Sequence, residues 1–102
     1  MGIKSVEVVC AKLKDKWVKL SLEAIKESMK NIYKITKKKD INLALINARD
    51  FYRGDEDLQK EVGFISKLIQ LEASGYLEPP INVSKLYQEV VKNMSVKEEN
   101  VL

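Results

Sequence analysis

The sequence predicts an all-α fold, two tandem helical hairpins packed as one domain with a groove between them. Three observations predict it. Apolar residues recur three and four apart along most of the chain, the interval 5–35 holds neither proline nor glycine, and the pattern of the first half returns 40 positions later.

Val6, Cys10, Leu13, Trp17, Leu20 and Ala24 alternate four and three apart, which is helical spacing. Val18, Leu22, Ile25, Met29, Ile32 and Tyr33 follow the same period on a second face, so a long first helix from Ser5 should carry two apolar stripes. Val6-Glu7-Val8 also suits a short β-strand; helix is the reading carried forward. Lys37-Lys38-Lys39 places cations at the negative end of that helix, and Asp40 is the expected N-cap of a second helix over about 41–53. Ile41, Leu45, Ala48 and Tyr52 form its inner side, Ala44 and Phe51 lie beside them, and Gly54 is expected at C′.

Asp55-Glu56-Asp57 opens a third helix with acids in its first turn, where the macrodipole favours them. Its inner stripe is Leu58, Val62, Ile65 and Ile69, with Phe64, Leu68 and Leu71 offset to one side. Gly75 stops it, and residues 76–80 are expected to be extended because residues before proline avoid the α region. Asn82 caps a fourth helix with the stripe Val83, Leu86, Tyr87, Val90 and Met94. Ser95-Val96-Lys97-Glu98 resembles a capping box, so 95–102 reads as a frayed tail or one extra turn.

At an offset of 40 residues, Val18, Leu22, Ile25 and Met29 fall over Leu58, Val62, Ile65 and Ile69, and Ile41-Asn42 over Ile81-Asn82. The chain therefore reads as a single helical domain, 1–102, with one motif over about 5–53, a second over about 55–94 and a flexible tail, 95–102. Two such units must face each other or dimerise to complete a core.

Composition removes most chemistry. There is no histidine, so the commonest general base and metal ligand is missing, and the one cysteine, Cys10, cannot form an intrachain disulfide or a thiolate cluster. Asp55-x-Asp57 has a cation-binding spacing but no third oxygen ligand or phosphate loop beside it, and helix capping explains it. The expectation is a protein that is not an enzyme and uses no cofactor or metal. No apolar run approaches membrane-spanning length and no secretion signal is evident, which predicts a chain that is neither membrane-bound nor secreted.

Two surfaces remain as candidates. The seam Leu13, Trp17, Leu20 and Ala24 is surplus to the inner stripe, and Phe64, Leu68 and Leu71 occupy the corresponding side of the third helix. Together they predict an apolar groove for a protein or peptide partner, with Trp17 as anchor and a homodimer as one form of it. The first half carries twelve Lys and Arg against six acids, and the second half six against nine. Lys26, Lys30, Lys34, Lys37, Lys38 and Lys39, with Lys12, Lys16 and Lys19 before them, form the alternative surface, a basic ridge for nucleic acid. Arginine, the better reader of phosphate and base edges, appears only as Arg49 and Arg53.

From Met1-Gly2-Ile3-Lys4 to Asn100-Val101-Leu102, the string resembles the small proteins of filamentous viruses that infect the hyperthermophilic archaeon Acidianus. The resemblance covers the whole chain and rests on no diagnostic motif. It implies a viral protein working in the host cytoplasm or with the virion, and it transfers no catalytic residue. A partner protein, viral or host, is the occupant it implies for the groove; gene regulation and a structural virion role are the alternatives.

Overall fold

The first element among the described residues is not helical. A computed structural model describes residues 7–99, and in it β1 (Val8–Leu13) and β2 (Lys16–Ser21) form an antiparallel hairpin closed by Lys14 and Asp15. Both turn residues have positive φ, 48° and 63°, the twist that a two-residue hairpin loop needs. Ser21 ends β2 and caps α1 (Leu22–Thr36), its hydroxyl accepting from the Ala24 N–H at 3.4 Å. The remaining elements are α2 (Ile41–Phe51), α3 (Glu56–Ala73), β3 (Leu77–Glu78) and α4 (Val83–Glu99). The three strands form one antiparallel sheet in the order β2-β1-β3, with Ala11 opposite Leu77 and Cys10 opposite Glu78.

The fold is therefore α+β, and the all-α expectation is wrong. So is the helical repeat. Val18 is a strand residue and cannot correspond to Leu58 in the first turn of a helix; Asp15 sits in a hairpin turn, whereas Asp55 caps α3. With the first part of the expected long helix replaced by a hairpin, the two supposed motifs are not equivalent, and no groove runs between two equivalent motifs. The physical reason lies in a coincidence of spacing. Leu13, Trp17 and Leu20 satisfy a helical period, yet Val9, Ala11 and Leu13 alternate with Val8, Cys10 and Lys12 as a strand requires. Burial resolves the choice, because only the sheet places Val9 and Ala11 together in the core. The expectations placed on residues 1–6 and 100–102 lie outside the described residues.

The helix starts follow the sequence closely, whereas Phe51, expected beside the inner side of α2, is 75% exposed. Asp40 caps α2 by accepting from the Leu43 N–H at 3.0 Å, and Asp55 caps α3 by accepting from Leu58 at 3.0 Å. Gly75, at φ 77°, ends α3: its N–H donates to the Glu72 carbonyl and that of Tyr76 to Leu71, a Schellman closure that a left-handed residue makes available. Gly54, by contrast, has no left-handed φ; α2 ends at Tyr52, whose N–H donates to the Ala48 carbonyl. Asn82 caps α4 through the Lys85 N–H at 3.1 Å, and α4 runs through the expected capping box to Glu99.

Helix α1 packs on all three other helices, and α3 also packs on β1 and β3. One core results, with Ile25, Met29 and Ile32 of α1, Ile41 of α2, Leu58 and Ile65 of α3, Val83 and Tyr87 of α4, and Val9, Ala11 and Leu77 from the inner face of the sheet. Polar side chains tie the elements together. Glu72 of α3 accepts the Val83 N–H at the start of α4 with both oxygens, at 3.1 and 3.0 Å. Gln59 donates to the Ala48 and Tyr52 carbonyls at the end of α2, and Tyr87 and Gln88 of α4 donate to the carbonyls of Lys38 and Lys39 after α1.

Candidate functional site

Successive strand residues point to opposite faces, so a sheet with one face on the core leaves the other to solvent. The register places Val8, Cys10 and Lys12 of β1 beside Ser21, Lys19 and Trp17 of β2 on that outer face. On the other side of β1, the Lys12 N–H donates to the Tyr76 carbonyl at 3.2 Å, which draws Tyr76 alongside; Leu77 then turns inward and Glu78 outward. The outer face is a small grid whose first row is Trp17, Lys12 and Tyr76 and whose second is Lys19, Cys10 and Glu78.

The first row combines apolar area with positive charge. Trp17 is 50% exposed and Tyr76 46%, and the Lys12 ammonium lies 4.9 Å from the centre of the Tyr76 ring. A cation over an aromatic face is attracted by the ring quadrupole, which favours the Lys12 side chain lying over Tyr76. Val8, 45% exposed, extends the apolar strip toward the base of the hairpin. Lys14, Lys16 and Lys19 are exposed around the turn and along β2, with Asp15 and Glu78 as the nearby acids.

Of the residues the sequence assigned to an apolar groove, only Trp17 lies on this face. Leu13 and Leu20 turn the other way and pack partly buried against the core, and Ala24 is exposed on the first turn of α1. Phe64 is also packed on the core, and Leu68 and Leu71 are inside it at 1% and 7% exposure. The seam thus divides between the two faces of a sheet and a helix, and the α3 residues are needed for packing.

The lysine ridge divides as well. Lys12, Lys16 and Lys19 belong to the hairpin. Lys26 and Lys30 line a cleft of about 220 Å³ between α1 and α4, with Glu89 among its walls, and Lys30 lies 3.8 Å from Glu27. Lys34 borders a separate hollow with Asp55, Asp57 and Glu61, while Lys39 borders another with Gln88 and Lys92. Lys37 ends α1 in the left-handed conformation with its ammonium 5.6 Å from the Tyr33 ring, and Lys38 and Lys39 follow it, exposed. Lys26, Lys30 and Lys34 follow one another at four-residue spacing along α1, apart in the chain from the hairpin lysines.

Beside Lys34, partial burial pushes the Glu61 carboxyl above the ordinary glutamate value. Asn31, donating at 2.7 Å, partly opposes that shift, while Asp57, Asp55 and Glu27 add to it. The Tyr87 hydroxyl is likewise pushed up by burial, and it donates to the Lys38 carbonyl at 2.6 Å. Cys10 is a free thiol, half-buried between Lys19 and Glu78. Among the described residues, no three His, Cys, Asp or Glu side chains are grouped so as to hold a metal ion, and no helix is long and apolar enough to cross a membrane.

Sequence reasoning missed Lys12 and Tyr76 as partners of Trp17. Tyr76 comes after three helices, and only the pairing of β1 with β3 brings it there. The extended character expected of 76–80 was the available signal, since a segment forced to be extended beside a strand can join its sheet. No protein-family model matches the chain, and no curated protein or solved structure matches it either.

Proposed function

We propose that this protein is a non-enzymatic binding module that receives a protein or peptide partner on the outer face of its hairpin sheet, with Trp17 as the anchor. What carries the reading is the row Trp17, Lys12 and Tyr76, two half-exposed aromatic rings flanking a cation. Scattered exposed apolar residues are normal on any protein. Two half-exposed aromatic rings in one row of a sheet differ, because aromatic side chains bury large area with little loss of rotamer freedom and carry interface energy out of proportion to their number.

A second apolar patch, Leu43, Ile46 and Phe51 on the outer side of α2, is the competing surface. Arg49, hydrogen-bonded to Ser66, lies beside Ile46, but the patch has no strand edge with open main-chain groups, and a helix face offers no directional hydrogen bonds to a partner. The sheet offers both.

The test is selection of random displayed peptides on the immobilised protein. Enriched peptides should lose binding to Trp17→Ala and Tyr76→Ala while still binding Ile46→Lys, with circular dichroism unchanged throughout. Peptides indifferent to Trp17→Ala but lost on Ile46→Lys would move the site to α2 and end this reading.

Single-stranded nucleic acid is the second reading, favoured by one observation: Lys12 held beside an aromatic ring is the arrangement on which a base stacks while its phosphate meets the cation. A thymidine oligonucleotide decides it. Binding that fades steeply with added salt and disappears in Trp17→Ala would support that reading, and absence of binding at low salt would eliminate it.

A further inference from the structure

We propose that β2 is an acceptor edge to which an acidic, extended segment of a partner protein adds as a fourth strand. This rests on the partner-binding reading above and specifies its mode. The hairpin register shows which main-chain groups are open. Leu22 N–H donates to the Glu7 carbonyl at 3.1 Å, and with Glu7 opposite Leu22 the hydrogen-bonded pairs of the ladder are Val9 with Leu20, Ala11 with Val18, and Leu13 with Lys16. The main-chain N–H and C=O groups of Trp17 and Lys19 therefore point away from β1, off the free side of the sheet.

An unpaired edge is a template for another strand unless it is blocked, and natural edges are usually blocked by proline, bulges, coverage or charge. β2 contains no proline and runs in unbroken register with β1 for six residues. Among the described residues its defence is charge, Lys16 and Lys19 with Lys14 at the turn. That defence selects as well as repels. A second copy of β2 would bring a second set of lysines to the same edge, whereas an acidic strand would neutralise the first.

The two faces of the edge specify the two faces of the occupant. On the inner side, Val18 remains 37% exposed although it points toward the core layer, because the sheet ends there. An added strand with apolar residues on that side would cover Val18 and Leu20. On the outer side its alternate residues would lie against Trp17 and Lys19, where acids are favoured. The chemistry called for is an extended segment alternating apolar and acidic residues, bound by main-chain hydrogen bonds in the manner of β-strand addition.

The experiment uses the intact protein and a synthetic peptide of alternating Glu and Val matched in length to β2. Its controls are the same peptide N-methylated at alternate residues, an alternating Lys-Val peptide, and a thymidine oligonucleotide. Binding of the Glu-Val peptide should slow hydrogen exchange of the Trp17 and Lys19 amides and should vanish on N-methylation. Lys19→Glu, an exposed substitution, should weaken that peptide by about tenfold and improve the Lys-Val peptide.

Equal binding of the N-methylated peptide would overturn strand addition while leaving Trp17 as an anchor. Concentration-dependent dimerisation that protects the same amides without peptide would overturn it in favour of a second copy. A Trp17 response to the oligonucleotide and to neither peptide would overturn both this proposal and the reading beneath it.

Discussion

Trp17 and Leu68 began as members of one apolar seam and end in opposite environments, one half in water and the other in the core. Their alanine variants should therefore separate cleanly. Leu68→Ala removes fully buried methyl groups and should cost about 2–5 kcal/mol in urea unfolding, whereas Trp17→Ala should cost about 1 kcal/mol or less and show its effect in partner binding. Glu61 provides a second test at this scale. Its carboxyl is raised in the folded protein, chiefly by burial, so the folded state holds its proton at pH values where the unfolded state has released it. Stability from this group is complete below the ordinary glutamate value and falls as pH rises toward the higher folded one. Glu61→Gln keeps an acceptor for Asn31 and removes the charge; thermal melts across mildly acid to neutral pH should show the variant gaining over the native chain as pH rises.

Individual elements show where local sequence is sufficient and where it is not. The α2, α3 and α4 starts were legible because Asp40, Asp55 and Asn82 each have an oxygen that can accept from the third N–H onward, and Gly75 marked a stop because few other residues adopt its φ. The hairpin was not legible. Its loop is Lys14-Asp15, without the asparagine or glycine that usually announces positive φ, and Leu13, Trp17 and Leu20 fit a helix as well as a strand. β3 was hidden for a different reason: two residues long, it becomes a strand only through pairing with Cys10 and Ala11, far away in the chain. The candidate site was correspondingly half-visible, Trp17 from its type and Lys12 and Tyr76 only from the pairing. The strained loop leads to a direct expectation. Asp15→Gly should relieve the left-handed conformation and raise stability by about 1 kcal/mol, read as a shift of the denaturation midpoint; a loss instead would mean that the aspartate side chain makes up for the strain.

Across the whole molecule, the extents are 44 × 42 × 21 Å and the radius of gyration 14.4 Å, against about 13 Å expected for a compact domain of this length. A flattened body exposes more of each layer, and a three-stranded sheet on such a body has one face that its own helices do not cover. The basic excess of the first half adds to this, since the hairpin lysines make that uncovered layer positive while the acids of the second half lie largely on α3 and α4. The partner expected is therefore acidic, and its association should weaken as salt screens the hairpin.

Because Trp17 is the only tryptophan, its fluorescence reports on the proposed site and on nothing else in the chain. In the free protein its emission should be red-shifted and readily quenched by acrylamide, and titration with the Glu-Val peptide should move it to the blue and shield it from the quencher. Emission already blue and protected without any ligand, or unchanged at peptide saturation, would contradict a partner-receiving face on this sheet.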